Sequence, residues 1–523
     1  MADNANEERS SQGSISVSGG QQEPIFENVV AKKFPQIANV MEEPSVPEEV
    51  PPDVSSPQEV LRPAQEVLSN IPEIPRDSGN QKYIFIGAVS VFFVIVFAIL
   101  FFTFRSRTPA APVVTPVTLT YWGLWEDEQV LRPVFDRYKN QHPHVTIRYE
   151  KMSPQQYITL LKGRSPNGKG PDIFRYHNTW LPQLTDIAAP MPSSIMTTAD
   201  FKESFYPIIA QDLIRDENIY GLPTYLDALV LLYNKKILSA AGYAGPPRSW
   251  IIDFPDVISE ITVVDSTGKI TTSAIAIGTT ANVEHFSDIL GTLFLIAYPA
   301  KSETLTNKDG LAILRNLTRA DGASALQIMR GVNELGIWNE SMPNSIDAFA
   351  AERVAMIFAP TWQIPNIRAK NPDLDFGVAP IPEGPGQEQG VRRATVASYW
   401  VEGVSKYSRN QVEAWKFLKF MSQPESLEKI FEMQVKLRGM GMLYPRPAMS
   451  KKVADDPVLS VLIAQSDAMV SLPLISRTYD EGLNDEIIRY LENAINAKSE
   501  QYDGSISTAS RGINEVLEKY KIE

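Results

Sequence analysis

The sequence predicts an α/β protein built on a parallel sheet, set behind a single transmembrane helix and a disordered N-terminal tail. Three observations carry this. Apolar residues with strand and helix periods alternate from Val117 to Phe174. An uninterrupted apolar run without a charge occupies Tyr83–Phe104. Residues 1–80 hold ten prolines and 14 Asp/Glu against 5 Lys/Arg, a composition that cannot bury enough apolar surface to offset its ordering entropy.

Taken in chain order, the tail (1–82) is acidic and Pro-rich. Within it Gln58-Glu-Val-Leu61 recurs as Gln65-Glu-Val-Leu68, either a transient helix or a docking peptide. Tyr83–Phe104 is long enough, at about 1.5 Å per residue, to cross a hydrocarbon core of about 30 Å. Arg76 and Lys82 on one flank and Arg105 and Arg107 on the other leave the positive-inside balance close to even. Pro109, Pro112 and Pro116 make 105–116 a stiff, extended spacer.

From Val117 the texture is globular. Val117–Tyr121 reads as a strand. Val130, Leu131, Val134, Phe135 and Tyr138 give the next segment a helical face, and Pro133 predicts that this helix starts near Arg132 or bends there. His144–Glu150 alternates as a strand, Pro154–Lys162 reads as a helix, and Asp172–Phe174 opens a third strand. This β-α-β-α-β order predicts parallel strands, with ligands bound at their carboxyl ends.

Composition excludes several functions. The chain has 523 residues, a net charge of −13 and no cysteine. There is no basic footprint for nucleic acid. Disulfides, cysteine nucleophiles, cysteine–zinc sites and lipidation at cysteine are all ruled out. His142-Pro-His144 is too small a donor set for a metal. No nucleophile elbow, phosphate loop or dinucleotide fingerprint is present. No cofactor is expected, and no carboxylate pair is spaced to name a general acid and base.

Several short pieces, in order, resemble one family. They are Phe135-Asp-Arg-Tyr-Lys-Asn-Gln-His-Pro-His-Val145, Gly170-Pro-Asp-Ile-Phe174, Tyr220-Gly-Leu-Pro223, Leu231-Leu-Tyr-Asn-Lys235 and Pro246-Pro-Arg-Ser-Trp250. Phe349-Ala-Ala-Glu-Arg-Val-Ala-Met356 with Trp362, and Ala414-Trp-Lys-Phe-Leu418, complete the set. Together they resemble the family 1 extracellular solute-binding proteins, the maltose-binding-like subunits of ABC importers. The resemblance covers nearly all of 117–523. It implies a two-lobed fold of the periplasmic-binding-protein kind, with lobe one at 117–227 and 395–445 and lobe two at 228–394 and 446–523. It also implies a ligand cleft that closes by hinge motion, an extracytoplasmic C-terminal domain and an ABC permease as partner. The chain departs from the family in having a membrane span where a lipidated cysteine is usual, and in its acidic tail.

Sugars are held by aromatic faces and by polar groups that take up hydroxyls. That mixture stands at the strand-end loops. After the first strand come Trp122, Trp125 and Glu126, with Gly123 allowing close approach of backbone to ligand; Trp125 faces the cleft or caps the lobe-one core. After the third strand come Tyr176 and His177, the latter a ligand contact or a solvated loop histidine. Tyr225 and Asp227 fall at the first crossover. Trp362 is the foremost stacking candidate. Tyr399 and Trp400 alternate near the second crossover, so at most one faces the cleft; Tyr399 is taken as the ligand contact. Arg438–Met442 is a closing loop or a helix-end turn, and Trp250 and Trp415 are assigned to the core. The expected function is capture of a small molecule, a sugar or oligosaccharide, by a monomer that delivers it to the permease. A tethered sensor or adhesion subunit and a surface glycan-acting enzyme are the alternatives.

Overall fold

Strand alternation and helical faces build two five-stranded sheets with helices packed against them. A computed structural model describes residues 115–250, 252–298, 305–385 and 391–522. The apolar run Tyr83–Phe104 and the tail lie outside the described residues, among which no helix is long and apolar enough to cross a membrane.

Strand β1 (Val117–Gly123) is followed by α1 (Glu128–Gln141), β2 (Val145–Lys151), α2 (Tyr157–Arg164) and β3 (Ile173–His177). Helix α1 buries Val130, Leu131, Val134, Phe135 and Tyr138, the face its periodicity marks out. It starts at Glu128 and carries Pro133 within it, so of the two expectations, a start near Arg132 or a bend there, the first is corrected. Proline lacks the amide that would bond the carbonyl four residues back, yet one missing bond does not end a helix whose apolar face is packed. Helix α2 begins at Tyr157, not Pro154, because Gln156 adopts a left-handed conformation just before it.

Helix α3 (Pro207–Leu213) leads towards β4 (Leu222–Pro223), and the chain then passes into β5 (Leu229–Asn234). Next come β6 (Val263–Val264), β7 (Ile270–Ile275), α4 (Phe286–Ala297), α5 (Asn307–Arg315) and α6 (Ala320–Glu334). These are followed by β8 (Val354–Pro360), β9 (Phe376–Ala379), β10 (Thr395–Val396) and β11 (Trp400–Val404). Helices α7 (Gln411–Met421) and α8 (Pro424–Arg438), strand β12 (Met469–Val470) and helices α9 (Leu483–Ile495) and α10 (Tyr502–Lys519) complete the set used below.

One sheet has the order β2-β1-β3-β11-β4 and the other β9-β5-β8-β7-β6. The first, with α1, α2, α7 and α8, is called lobe one here; the second, with α4 to α6, α9 and α10, is lobe two. Strands β1, β2 and β3 are mutually parallel. Strand β11 enters antiparallel between β3 and β4, with Trp400 opposite His177. The parallel sheet expected from the local pattern is therefore closed by a strand from more than 200 residues downstream, which no local period can announce.

The chain crosses between the sheets at 224–228 and 395–399. The crossings pair at Ala228 and Ala397, and β12 runs parallel to β10 beside them. In lobe one the carboxyl ends of β1, β3 and β4 share the edge where these crossings leave. In lobe two, Pro360 at the end of β8 lies opposite Leu229 at the start of β5. The carboxyl end of β8 therefore sits on the edge where the crossing arrives.

Candidate ligand-binding site

The loop after β1 is built from below. Arg175 on β3 and Glu402 on β11 form a fully buried ion pair, Nε to Oε1 2.7 Å. The guanidinium also donates to the carbonyl of Leu124 at 3.0 Å, and Tyr149 donates to the carbonyl of Glu126 at 2.8 Å. Gly123 serves this packing. A Cβ there would collide with the Tyr149 ring, so the glycine admits a side chain of its own lobe rather than a ligand.

Fixed this way, the loop presents Trp125 with φ 65° and 39% exposed. Its ring lies 5.8 Å from Trp400 and 5.8 Å from Tyr479. Trp400 is half-buried and also meets His177 at 5.2 Å and Trp180 at 5.3 Å, both edge-on. An aromatic face thus stands on the edge of lobe one. Trp125 is therefore not part of the buried lobe-one core.

The facing edge of lobe two carries Trp362, 36% exposed, with its ring edge-on to His285 at 5.5 Å. Asp227, in the first crossing, sets its position. The Asp227 carboxylate accepts from Trp362 N (3.1 Å), Thr361 N (3.2 Å), Thr361 Oγ1 (2.8 Å) and Ala228 N (2.8 Å). Burial pushes this carboxyl up to about 6, against the hydrogen bonds that pull it down. Around Trp362, Glu284 accepts from Gln363 Nε2 (3.0 Å) and pairs with Arg477 (2.7 Å). A continuous set of bonds joins the two edges: His177 Nε2 to Ser398 Oγ at 3.1 Å, and Ser398 N to the Asp227 carbonyl at 3.0 Å.

Backbone strain is concentrated here. Among the described residues ten non-glycine residues have positive φ, and Trp125, His285, Arg477, Tyr479 and Glu481 are five of them. Each such residue costs roughly 1–3 kcal/mol and persists where the surroundings over-determine it, as at ligand sites.

Most of the other expected contacts are buried inside the protein. Trp122 is buried, donates to Glu150 at 3.0 Å and packs towards Tyr157. Tyr176 is buried in the lobe-one core and donates to the Tyr220 carbonyl at 3.2 Å. Glu126 is 4% exposed, and its carboxylate takes a bond from Arg438 at 2.9 Å. His177 is neither solvated nor free. It is buried at the end of β3 with Nδ1 on Thr179 (2.9 Å) and Nε2 on Ser398, and burial pushes its pKa down to about 3. Tyr225 is 9% exposed in the first crossing, and burial pushes its hydroxyl pKa up. Tyr399 is fully buried and donates to Asp212 at 2.6 Å. Strand alternation allows at most one of Tyr399 and Trp400 to face the edge; Tyr399, the residue chosen, is interior, and Trp400 is the half-buried one there. Trp250 and Trp415 are buried. Arg438 ends α8, and Gly439 at φ 74° is its left-handed cap, so this segment is a helix-end turn. Tyr479, His285, Glu284, Gln363 and Arg477 were not visible as site residues, since no local pattern marks them. Among the described residues no group of His, Asp and Glu is arranged to hold a metal.

Residues 123–428 match the family described as bacterial extracellular solute-binding protein. The maltotriose-binding protein of Pyrococcus abyssi is 23% identical over 317 residues, 58% of this chain and 61% of that protein. Among solved structures, the sugar-binding protein of Xanthomonas citri superposes with a TM-score of 0.60 at 20% identity, over 77% of this chain and 98% of that one. A solute-binding protein of an ABC transporter from Thermotoga lettingae, bound with α-D-tagatose, gives 0.56 at 21% identity, over 76% and 99%. The likeness to these structures is one of fold.

Proposed function

The chain belongs to the bacterial extracellular solute-binding protein family, and from that premise we propose that it captures a carbohydrate between its two lobes and delivers it to an ABC permease while Tyr83–Phe104 anchors it in the membrane. Members of this family bind solutes and are not enzymes, so capture and release are the events to explain. The observation that carries the reading is the pair of exposed tryptophans, Trp125 and Trp362, on edges joined through Asp227 and Ser398. Sugar rings present apolar C–H faces to such indoles, and their hydroxyls need the polar groups beside them. Arg477, Glu284 and Gln363 stand next to Trp362, and Trp400 and Tyr479 extend the face of Trp125. The names of the matching proteins, which bind maltotriose and other sugars, support the same ligand class.

In this reading the ligand shifts an open–closed equilibrium by its greater affinity for the closed form. The test is a thermal-shift screen of the 523-residue chain in detergent against maltotriose, other sugars, polyols and oligopeptides. A sugar that binds the folded state raises the melting temperature with concentration. Stabilisation by peptides alone would overturn the ligand class. Anchoring is tested separately by adding protease to intact cells, which should remove the C-terminal domain and spare the acidic tail. Loss of the tail instead would reverse the orientation.

A further inference from the structure

Residues 476–484 are bonded to both lobes. The first part holds lobe two. Ser476 N and Oγ donate to Asp288 Oδ2 at 3.0 and 2.7 Å, and Arg477 pairs with Glu284. The second part holds lobe one. Gln183 Nε2 donates to Asp480 Oδ2 at 2.9 Å, Asn484 Nδ2 to Thr179 Oγ1 at 2.9 Å, and Thr159 Oγ1 to Glu481 Oε2 at 3.2 Å. Between them the Tyr479 ring lies against Trp125. The chain then enters α9, which packs on α6 of lobe two. A segment that starts and finishes on lobe two thus leans across to lobe one.

Two features are unlike a permanently packed segment. Arg477, Tyr479 and Glu481 alternate in the left-handed region at φ 59°, 59° and 48°. The Thr478 hydroxyl is buried with no hydrogen-bond partner among the described residues. Strain and an orphaned hydroxyl in one short stretch mark a conformation held by its docking partners. The turn also satisfies itself, since Asp480 accepts from Gly482 N at 3.2 Å and Asn484 N at 2.9 Å. Leaving lobe one would exchange the Gln183, Thr179 and Thr159 bonds for water and give up the Trp125 contact, while the bonds within the turn remain.

We propose that residues 476–484 form an interlobe strap that undocks from lobe one as the lobes part and redocks as they close, so that Tyr479 completes the Trp125–Trp400 face only in the closed form. The strap deepens the two-lobed capture reading and rests on it. Ligand release then requires the strap to let go.

The chain has no cysteine, so T159C with E481C places a single pair of thiols across the contact. A short, reducible bis-methanethiosulfonate reagent bridges them. Hydrogen exchange of amides 476–485 is read by mass spectrometry in the 523-residue chain without ligand. Bridging should slow this exchange, and reductant should restore it. Gln183→Ala, outside the strap, should speed it by about 2- to 10-fold, the effect of losing one hydrogen bond. Maltotriose added to the unbridged chain should slow it as bridging does. Equal exchange in bridged, unbridged and Gln183→Ala chains overturns the strap. That result is distinct from failure of the capture reading, which shows as no melting shift with any sugar whatever the bridge does.

Discussion

The two facing edges are held in different ways. On lobe one, Trp125 rests on Trp400 and Tyr479, and its loop is fastened from beneath by the Arg175–Glu402 pair through the Leu124 carbonyl. That fastening lies within one sheet. On lobe two, Trp362 lies edge-on to the His285 imidazole and is fastened by Asp227, which belongs to the crossing between lobes. The difference teaches where motion can be felt. In the proposed closure, a hinge rotation would leave the Arg175 anchor untouched, whereas a turn of the crossing would move the carboxylate that positions Trp362.

The largest expected effect breaks the lobe-one anchor. Glu402→Ala leaves Arg175 buried without its counter-charge, which costs about 3–5 kcal/mol. Denaturant unfolding should show that loss. A change below about 1 kcal/mol would mean that Leu124 and neighbouring groups suffice to hold the guanidinium.

Next is an effect of pH. His177 has a folded-state pKa of about 3, below its ordinary value of about 6.5. The unfolded chain therefore binds the proton first, so the stability contribution is full above pH 6.5 and falls as pH drops towards 3. Asp212 and Asp227, both pushed up to about 6 by burial, act in the opposite sense. They cancel when the wild type is compared with His177→Gln. Relative to that variant the wild type should lose about 2–3 kcal/mol between pH 6.5 and 4.5. A pH-independent difference would place the proton elsewhere.

Trp362→Ala sharpens the comparison from the other lobe. Removal of an open-edge stacking face should weaken sugar affinity by about 1–3 kcal/mol, roughly 5- to 150-fold. Stability should change less, since no sealed cavity is left. Unchanged affinity with a stability loss of about 3–5 kcal/mol would return the ring to the core. The smallest effect separates neighbours on one strand. Tyr399→Phe should cost about 0.5–1.5 kcal/mol of stability for its bond to Asp212 and leave affinity unchanged. If Tyr399→Phe weakened binding, the assignment of Trp400 to the edge would be wrong.

Local signals in the sequence were strong where chemistry repeats along the chain. The face of α1 and the parallel order of β1, β2 and β3 follow from periods of 3.6 and 2. Trp125 and Trp362 could be singled out because large aromatics beside strand ends are conspicuous. Trp122, Tyr176 and Tyr399 were singled out by the same rule and proved to be interior, because residue type records hydrophobicity and not the direction of a side chain.

By itself, then, the sequence determined the α/β layering, the lack of any cysteine, and an apolar run long enough to span a membrane. It also carried the order of segments that marks the family. Only the tertiary structure decided that β11 enters sheet one antiparallel, that Asp227 grips Trp362 across 135 residues, and that Tyr479 meets Trp125 from the far end of the chain. The physical reason is that periodicity is a property of neighbours in sequence. The candidate site at the edges of two sheets draws on residues hundreds of positions apart, brought together only when both cores have packed.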